Sequence, residues 1–304
     1  MIRFHSNGKF LLTGEYLVLK GALALALPVN LGQSLEIKDL ETNNNLLYWK
    51  ALQPKGSWFS ATLDKSNLQV VSADDEAKAQ KLSEMLRTLR ELNASVFMGN
   101  DLQITTQLEF DPEWGLGSSS TLISNLAQWA KVNPYELLKR TFDGSGYDIA
   151  CATAKGSVFY QLVDGQPKSE SAPFNPAFAD KLFFVYQGKK QSSAKEVIRF
   201  KERMAQIDLC HEIEQVSDIS RAMCGCKELS GFCCLLDEHE AIMSHCLDRE
   251  PLKKRFPDFE GSVKSLGAWG GDFFLCASKW DEHKVRSYFQ SNGMNTVLRY
   301  LDLV

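Results

Sequence analysis

The chain has 304 residues, a length that sets the expectation of two domains of roughly 150 residues each. With 44% hydrophobic and 24% charged residues it has the composition of a soluble globular protein, and no window approaches the roughly 18 uninterrupted apolar residues of a membrane span. A formal net charge of −4 gives no reason to expect nucleic-acid binding, which needs a dense basic face, so any phosphate recognition has to be local.

The opening MIRFHSNGKF lacks the apolar centre of a signal peptide, which sets the expectation of a cytoplasmic protein with no membrane partner. Alternating apolar residues and turn signals predict strands over 2–4, 10–13, 22–27 and 31–37, then a tight turn at 43–45 into strands over 46–52 and 59–63. From residue 74 to 92 the pattern becomes helical. Ala77, Leu82, Met85, Leu86 and Leu89 share a face, and Asp74, Asp75 and Glu76 fill the acid-favoured first turn. Residues 102–110 alternate as a strand and run into Trp114-Gly115-Leu116-Gly117-Ser118-Ser119-Ser120. Helices over 121–132 and 134–140 follow, the second opened by Asn133-Pro134. Gly144-Ser145-Gly146 precedes a short segment over 147–153, and a strand over 157–162 ends at Asp164-Gly165.

Residues 166–176, rich in proline and serine and without periodicity, mark the expected boundary between a first domain over 1–165 and a second over 177–304. The second opens on a strand over 182–186, passes through Gly188, Lys189 and Lys190, and stays helical from Ala194 until Ala268-Trp269-Gly270-Gly271. A strand over 273–277, a helix over 284–290 and a strand over 294–301 close it. The irregular interleaving of strands and helices predicts an α+β fold. The eight cysteines read as reduced thiols. Cys224, Cys226, Cys233 and Cys234, with His239 and His245 downstream, lack the CxxC spacing of a tight zinc site, and Cys233-Cys234 reads as a pair of buried small hydrophobes.

The loop at 114–120 carries the strongest chemical signal. Its glycines let the backbone approach an anion, and the helix behind it offers unpaired N–H groups at its positive end. Serine hydroxyls there can also ligate Mg²⁺. No GK[ST] follows and GxGxxG is absent, so neither a Walker A loop nor a dinucleotide fingerprint is present. Taken alone, the loop reads equally well as a nucleotide-phosphate cradle or as an ordinary serine-capped turn.

Three further segments join it. Ser6-Asn7-Gly8-Lys9 runs on to Gly14-Glu15-Tyr16, a GK on a strand followed by GE; Gly144-Ser145-Gly146-Tyr147-Asp148 is an SGxD-like segment; Ser265-Leu266-Gly267-Ala268-Trp269-Gly270-Gly271-Asp272 is a glycine-rich turn. In this order, and over nearly the whole chain, they resemble the GHMP kinases, the family of galactokinase, homoserine kinase, mevalonate kinase and phosphomevalonate kinase. The resemblance implies an N-terminal domain with a left-handed βαβ crossover and a ferredoxin-like C-terminal domain, with ATP and Mg²⁺ as cofactors. It implies that Gly115, Leu116, Gly117, Ser118, Ser119 and Ser120 hold the ATP phosphates. Asp148 would be the catalytic base, which suits phosphoryl transfer because a carboxylate can accept the hydroxyl proton of the acceptor, and Lys9 its charged partner. Outside this company Asp148 would read as a turn acid and Lys9 as a solvated lysine.

On the acceptor side the resemblance implies Glu15, Tyr16, Ser145, Gly267, Gly270, Gly271 and Asp272. To these it adds Lys189, Ser192, Ser193 and Lys195, a basic, hydroxyl-bearing helix start suited to an anionic metabolite. Two departures stand out. The metal site implied at Ser119 should include a helical glutamate, but between 133 and 144 the acids are Glu136 and Asp143, and Glu136 does not fall at the usual offset. Trp269 replaces a usual glycine, where a ring would narrow the pocket or alter how the turn meets the phosphates. GEY and the Gly-Gly-Asp ending lean toward phosphomevalonate or mevalonate as acceptor. The alternatives are another acceptor such as homoserine or a sugar, or a catalytically weak sensor of nucleotide or metabolite. Either a monomer or a homodimer is compatible.

Overall fold

The structure is a computed structural model that describes residues 1–142, 144–190, 193–204 and 207–304. In chain order, β1 (Ile2–Leu11), β2 (Ala24–Asp39), β3 (Leu46–Gln53), β4 (Gly56–Asp64) and β5 (Val70–Ala73) lead to α1 (Glu76–Leu92) and β6 (Leu102–Leu108). Next come α2 (Ser118–Ala130), α3 (Pro134–Thr141), α4 (Tyr147–Ala152), β7 (Val158–Val163) and β8 (Gln166–Ser171). Then follow β9 (Leu182–Tyr186), α5 (Ser193–Arg203), α6 (Cys210–Gly225), α7 (Leu229–Leu247) and β10 (Gly261–Ser265). The remaining elements are β11 (Phe273–Ser278), α8 (Glu282–Ser291), β12 (Val297–Arg299) and α9 (Tyr300–Leu303). Contacts gather them into two units, the first comprising Met1–Gly8, Leu31–Pro112 and Leu116–Thr153, the second Lys9–Asn30, Glu113–Gly115 and Ala154–Val304.

In the first unit the strands lie in the order β5-β4-β3-β6-β2, with β3 and β6 parallel and the other pairs antiparallel. One apolar core unites Trp49 of β3 and Ile104 of β6 with Leu82, Leu86 and Leu89 of α1, Ile123 and Leu126 of α2, and Ile149 of α4. α1 forms where predicted, but Ala77, expected on its buried face, is exposed, and Ala79, three residues before Leu82, is buried instead. The Asp75 carboxylate accepts from the Lys78 N–H at 3.0 Å, and Ala79, Leu82, Leu86 and Leu89 make the buried stripe.

In the second unit the first residues of β2 pair with β7, and β7 with β8. A separate antiparallel sheet has the order β10-β11-β9-β12. Helices α5 to α7 connect β9 to β10 and α8 connects β11 to β12, which is the ferredoxin-like arrangement expected for the C-terminal part. Its core is aromatic, built on Phe183, Phe256, Phe259, Phe274 and Phe289.

Several elements differ from the sequence reading. β1 and β2 run unbroken through Gly8 and Pro28, because pairing on the sheet outweighs local propensity, and Pro28 falls between the stretches of β2 that pair with β7 and with β6. Residues 166–171, expected to be irregular, form the edge strand β8, whose exposed Lys168, Glu170 and Pro167 mask a strand signal while blunting the edge. The last predicted strand is confined to β12 before the chain turns into α9. Cys233 and Cys234 are not buried: the 3.6-residue period of α7 turns Phe232, Leu236, His239 and Met243 inward and leaves Cys234 exposed. Among the described residues no group of His, Cys, Asp and Glu could hold a metal ion, and no helix is long and apolar enough to cross a membrane.

Candidate functional site

Most of the predicted residues fall into a cluster in each unit. In the second, the Lys9 ammonium donates to the Gly115 carbonyl at 2.9 Å, so the lysine of the first motif grips the entry to the serine loop. Gly115 has φ 69°, which favours glycine, and a Cβ there would lie 2.6 Å from the Asp272 carboxylate carbon and push that side chain aside. The same loop is held at Glu113, whose carbonyl accepts from the Tyr186 hydroxyl at 3.1 Å. The Asp272 N–H donates to the Lys189 carbonyl at 2.7 Å, and the Gly271 carbonyl accepts from the Gln187 amide at 2.8 Å. Lys9, Gly115, Lys189, Gly271 and Asp272, distant in sequence, are thereby brought together.

In the first unit, Gly117 takes the left-handed conformation (φ 92°) and no side chain caps the start of α2, so the amides of its first turn have no side-chain acceptor at the cap. Ser119 is exposed there, while the Ser120 hydroxyl turns back to the Gly117 carbonyl at 2.9 Å. The helix is fixed from behind: Thr121 donates to Gln33 Oε1 at 2.7 Å and Asn125 to the Gln33 carbonyl at 2.8 Å, and Ser6 bonds Ser124 at 2.8 Å. Asp148 stands half-buried in the first turn of α4, after Gly146 at φ 88°, and its Oδ1 accepts the Ile149 N–H at 3.0 Å. Ser145 lies just before it, also half-buried.

Glu15 and Tyr16 are not where substrate contact would need them. Tyr16 is turned inward, and its hydroxyl donates to the Ala268 carbonyl at 2.8 Å. Glu15 is 1% exposed and paired with Lys264 of β10, itself fully buried, with His239 Nε2 of α7 at 3.4 Å. The Gly14 N–H donates to His239 Nε2 at 3.0 Å, which requires that nitrogen to be unprotonated. Burial and the Lys264 charge hold His239 well below its usual value, in agreement with that geometry. Glu240 completes the cluster, accepting from Ser265 N–H at 3.0 Å and Leu252 N–H at 3.1 Å. The first motif is thus bolted to β10 and to the third turn by buried charge. None of Lys264, His239 and Glu240 was readable as such from sequence, where a lysine in Val263-Lys264-Ser265 looks solvated.

Burial pushes the Glu15 carboxyl from 4.5 up to about 7, against the opposing pull of Lys264. A raised carboxyl stabilises the fold fully below its unfolded value and loses that contribution as pH rises through about 7; Glu240, also raised by burial, acts in the same direction. His239, depressed, acts oppositely: its contribution is complete above 6.5 and is lost on acidification. Relative to Glu15→Gln, the wild type should therefore lose melting temperature as pH is raised from about 6 to about 8. A difference that stays constant across that range in calorimetric melts contradicts this.

The third turn explains its own anomaly. Trp269 sits at φ 51°, with its ring 2% exposed in an apolar cluster with Tyr16, Leu17, Phe200 and Met204. The ring fills the core and does not narrow the open side of the turn, where nothing lies within 4 Å of a Cβ on Gly267. Glu136 is exposed on α3 and its carboxylate is bonded to Arg140 one turn on, a cation that competes with a metal for it. Ser192 and Asp143 lie outside the described residues, as do the side chains of Ser193 and Lys195. A shallow groove of about 510 Å³ lined by Tyr48, Lys50, Thr62 and Asp74 contains none of the predicted residues.

No family model matches the sequence, and no curated protein matches it. Solved structures do match. Streptococcus pneumoniae phosphomevalonate kinase in complex with phosphomevalonate and AMPPNP is similar with a TM-score of 0.72 at 16% identity, over 98% of this chain and 100% of that one. Methanococcus jannaschii mevalonate kinase gives 0.67 at 16% identity over 98% and 96%. Lactococcus lactis galactokinase complexed with galactose gives 0.68 at 14% identity over 98% and 92%. Set beside the motifs and the two-sheet α+β architecture, these likenesses show that the chain has the fold of the GHMP kinases.

Proposed function

We propose that the chain is an ATP-dependent kinase that transfers the γ-phosphate to a small anionic metabolite, with phosphomevalonate or mevalonate the first acceptors to test. The observation that carries this reading is the bond from Lys9 to Gly115, which joins the first motif to the loop that opens α2. In this reading the loop glycines, the uncapped amides that open α2 and the hydroxyls of Ser118 and Ser119 hold the nucleotide phosphates, while the Ser120 hydroxyl, turned back to Gly117, braces the loop. Asp148 takes the proton of an acceptor hydroxyl, and Lys9 keeps the loop in place and shares the charge of the transition state. Lys189 and the Gly267 to Asp272 turn receive the acceptor, whose charge suits a lysine. Ser119, exposed at the start of α2, would be the protein ligand of Mg²⁺, an ion that would supply neutralisation of the charge on the phosphates. The similar pneumococcal structure, solved with phosphomevalonate and AMPPNP, supports the choice of acceptor at the level of fold.

A binding-only sensor is the competing reading, and the engagement of Glu136 with Arg140 is what favours it. An assay of ADP release with mevalonate, phosphomevalonate, homoserine and galactose separates the two. The kinase reading expects turnover with one of them. Calorimetric binding of MgATP without turnover on any would favour the sensor.

A further inference from the structure

We infer that Arg249 and Trp269 are positioning residues that strap helix α5 to the third glycine turn, so that acceptor binding depends on them more than ATP binding does. This rests on the reading of residues 189–195 as the acceptor side.

Arg249 follows the left-handed cap of α7 at Asp248, and its N–H donates back to the Ser244 carbonyl at 3.1 Å, so its backbone is fixed. One guanidinium nitrogen donates to the Trp269 carbonyl at 2.9 Å; the other pairs with the Glu196 carboxylate on the first turns of α5. Glu196 is 6% exposed and also holds Arg199, so this is a partly dry, charge-assisted tie rather than a surface ion pair. A second link starts from the same turn residue. The Trp269 ring joins the cluster that includes Phe200 and Met204, both on the apolar side of the segment formed by α5 and its end. A glycine would take φ 51° more readily but would supply no ring to receive that side.

One turn therefore holds two points of the chain, residue 189 and the start of α5. Lys189 is tied through its carbonyl to the Asp272 N–H, and Glu196 is tied through Arg249 to Trp269. The intervening residues include Ser192, Ser193 and Lys195, those expected at the acceptor. The Arg249 guanidinium is also the nearest group, at 3.7 Å, to a Cβ built on Gly270, so a side chain added on that flank of the turn would meet it first.

The test uses the full chain with Arg249→Ala, Arg249→Lys and Trp269→Phe, read by amide hydrogen exchange and by steady-state kinetics on the best acceptor of the panel. Arg249→Ala should raise exchange in 196–204 and 266–271 while leaving β3, β4 and β6 unchanged. It should raise the acceptor KM by about tenfold, with KM for ATP moving less than about threefold. Arg249→Lys, which lacks the fork to reach both partners, should restore part of the acceptor KM, and Trp269→Phe should keep most of it. Unchanged exchange in α5 overturns the strap. Equal rises in both KM values overturn its assignment to the acceptor. If the wild type phosphorylates nothing on the panel, the kinase reading fails, while the exchange data still decide whether Arg249 holds α5.

Discussion

Replacing Asp148 with alanine should lower kcat on a hydroxyl acceptor by about 10²–10⁴-fold, while KM for ATP should stay within about threefold. The carboxylate stands in the first turn of a six-residue helix, half-buried, with one oxygen on the Ile149 N–H, which leaves the other free to take a proton. Its structural share is small: an acid at a helix start contributes about 0.3–1 kcal/mol. Melting should therefore barely move, and Asp148→Asn, which keeps the acceptor oxygen, should melt like wild type yet be as slow as alanine. The size of the loss also reports the acceptor class. A phosphate acceptor is largely ionised near neutrality, having a second pKa of about 6, and needs no base, so on phosphomevalonate the loss should be much smaller than on mevalonate. Undiminished turnover of a hydroxyl acceptor removes Asp148 from the chemistry.

Lys264→Met, a change that keeps side-chain length but removes the charge, should destabilise the protein by about 3–5 kcal/mol. Lys264 is fully buried on β10, bonded to Glu15 and close in charge to Glu240, so its loss strands two carboxyls in the interior. Each can escape only by taking up a proton. The deficit should therefore grow as pH is raised from about 6 to about 8, where that uptake becomes harder. The double variant Lys264→Met with Glu15→Gln, which neutralises both partners of the pair, should recover part of the loss. Urea unfolding at both pH values measures this; a deficit below about 1 kcal/mol at either pH would contradict the cluster as a structural bolt.

What the sequence disclosed followed from how much of each signal is local. α1, α3 and β9 are set by caps, proline and apolar period, all of which sit within a dozen residues, and they form where expected. The glycines of the loop and of the third turn were equally legible, because a left-handed φ or a close approach leaves few residues to choose from. Glu15 shows the limit. Its place beside Gly14 in the first motif points to substrate, yet its surroundings come from α7 and β10, more than 200 residues on, and nothing local marks Lys264 or His239 as interior. Trp269 was legible as an anomaly but not as a core residue, because the cavity it fills is built by α5 and Tyr16. Arg249 had no signal at all: its worth lies in reaching a carbonyl 20 residues away and a carboxylate 53 residues away.

The most direct test is transfer from ATP labelled with ¹⁸O in its γ-phosphate, run over the acceptor panel with wild-type protein and Asp148→Ala side by side and read by mass spectrometry. Kinase action at this site yields an acceptor that carries the labelled phosphoryl group, abundant with wild type and sharply reduced by Asp148→Ala on a hydroxyl acceptor. Label found solely in inorganic phosphate, or no consumption of ATP with any acceptor, would contradict it.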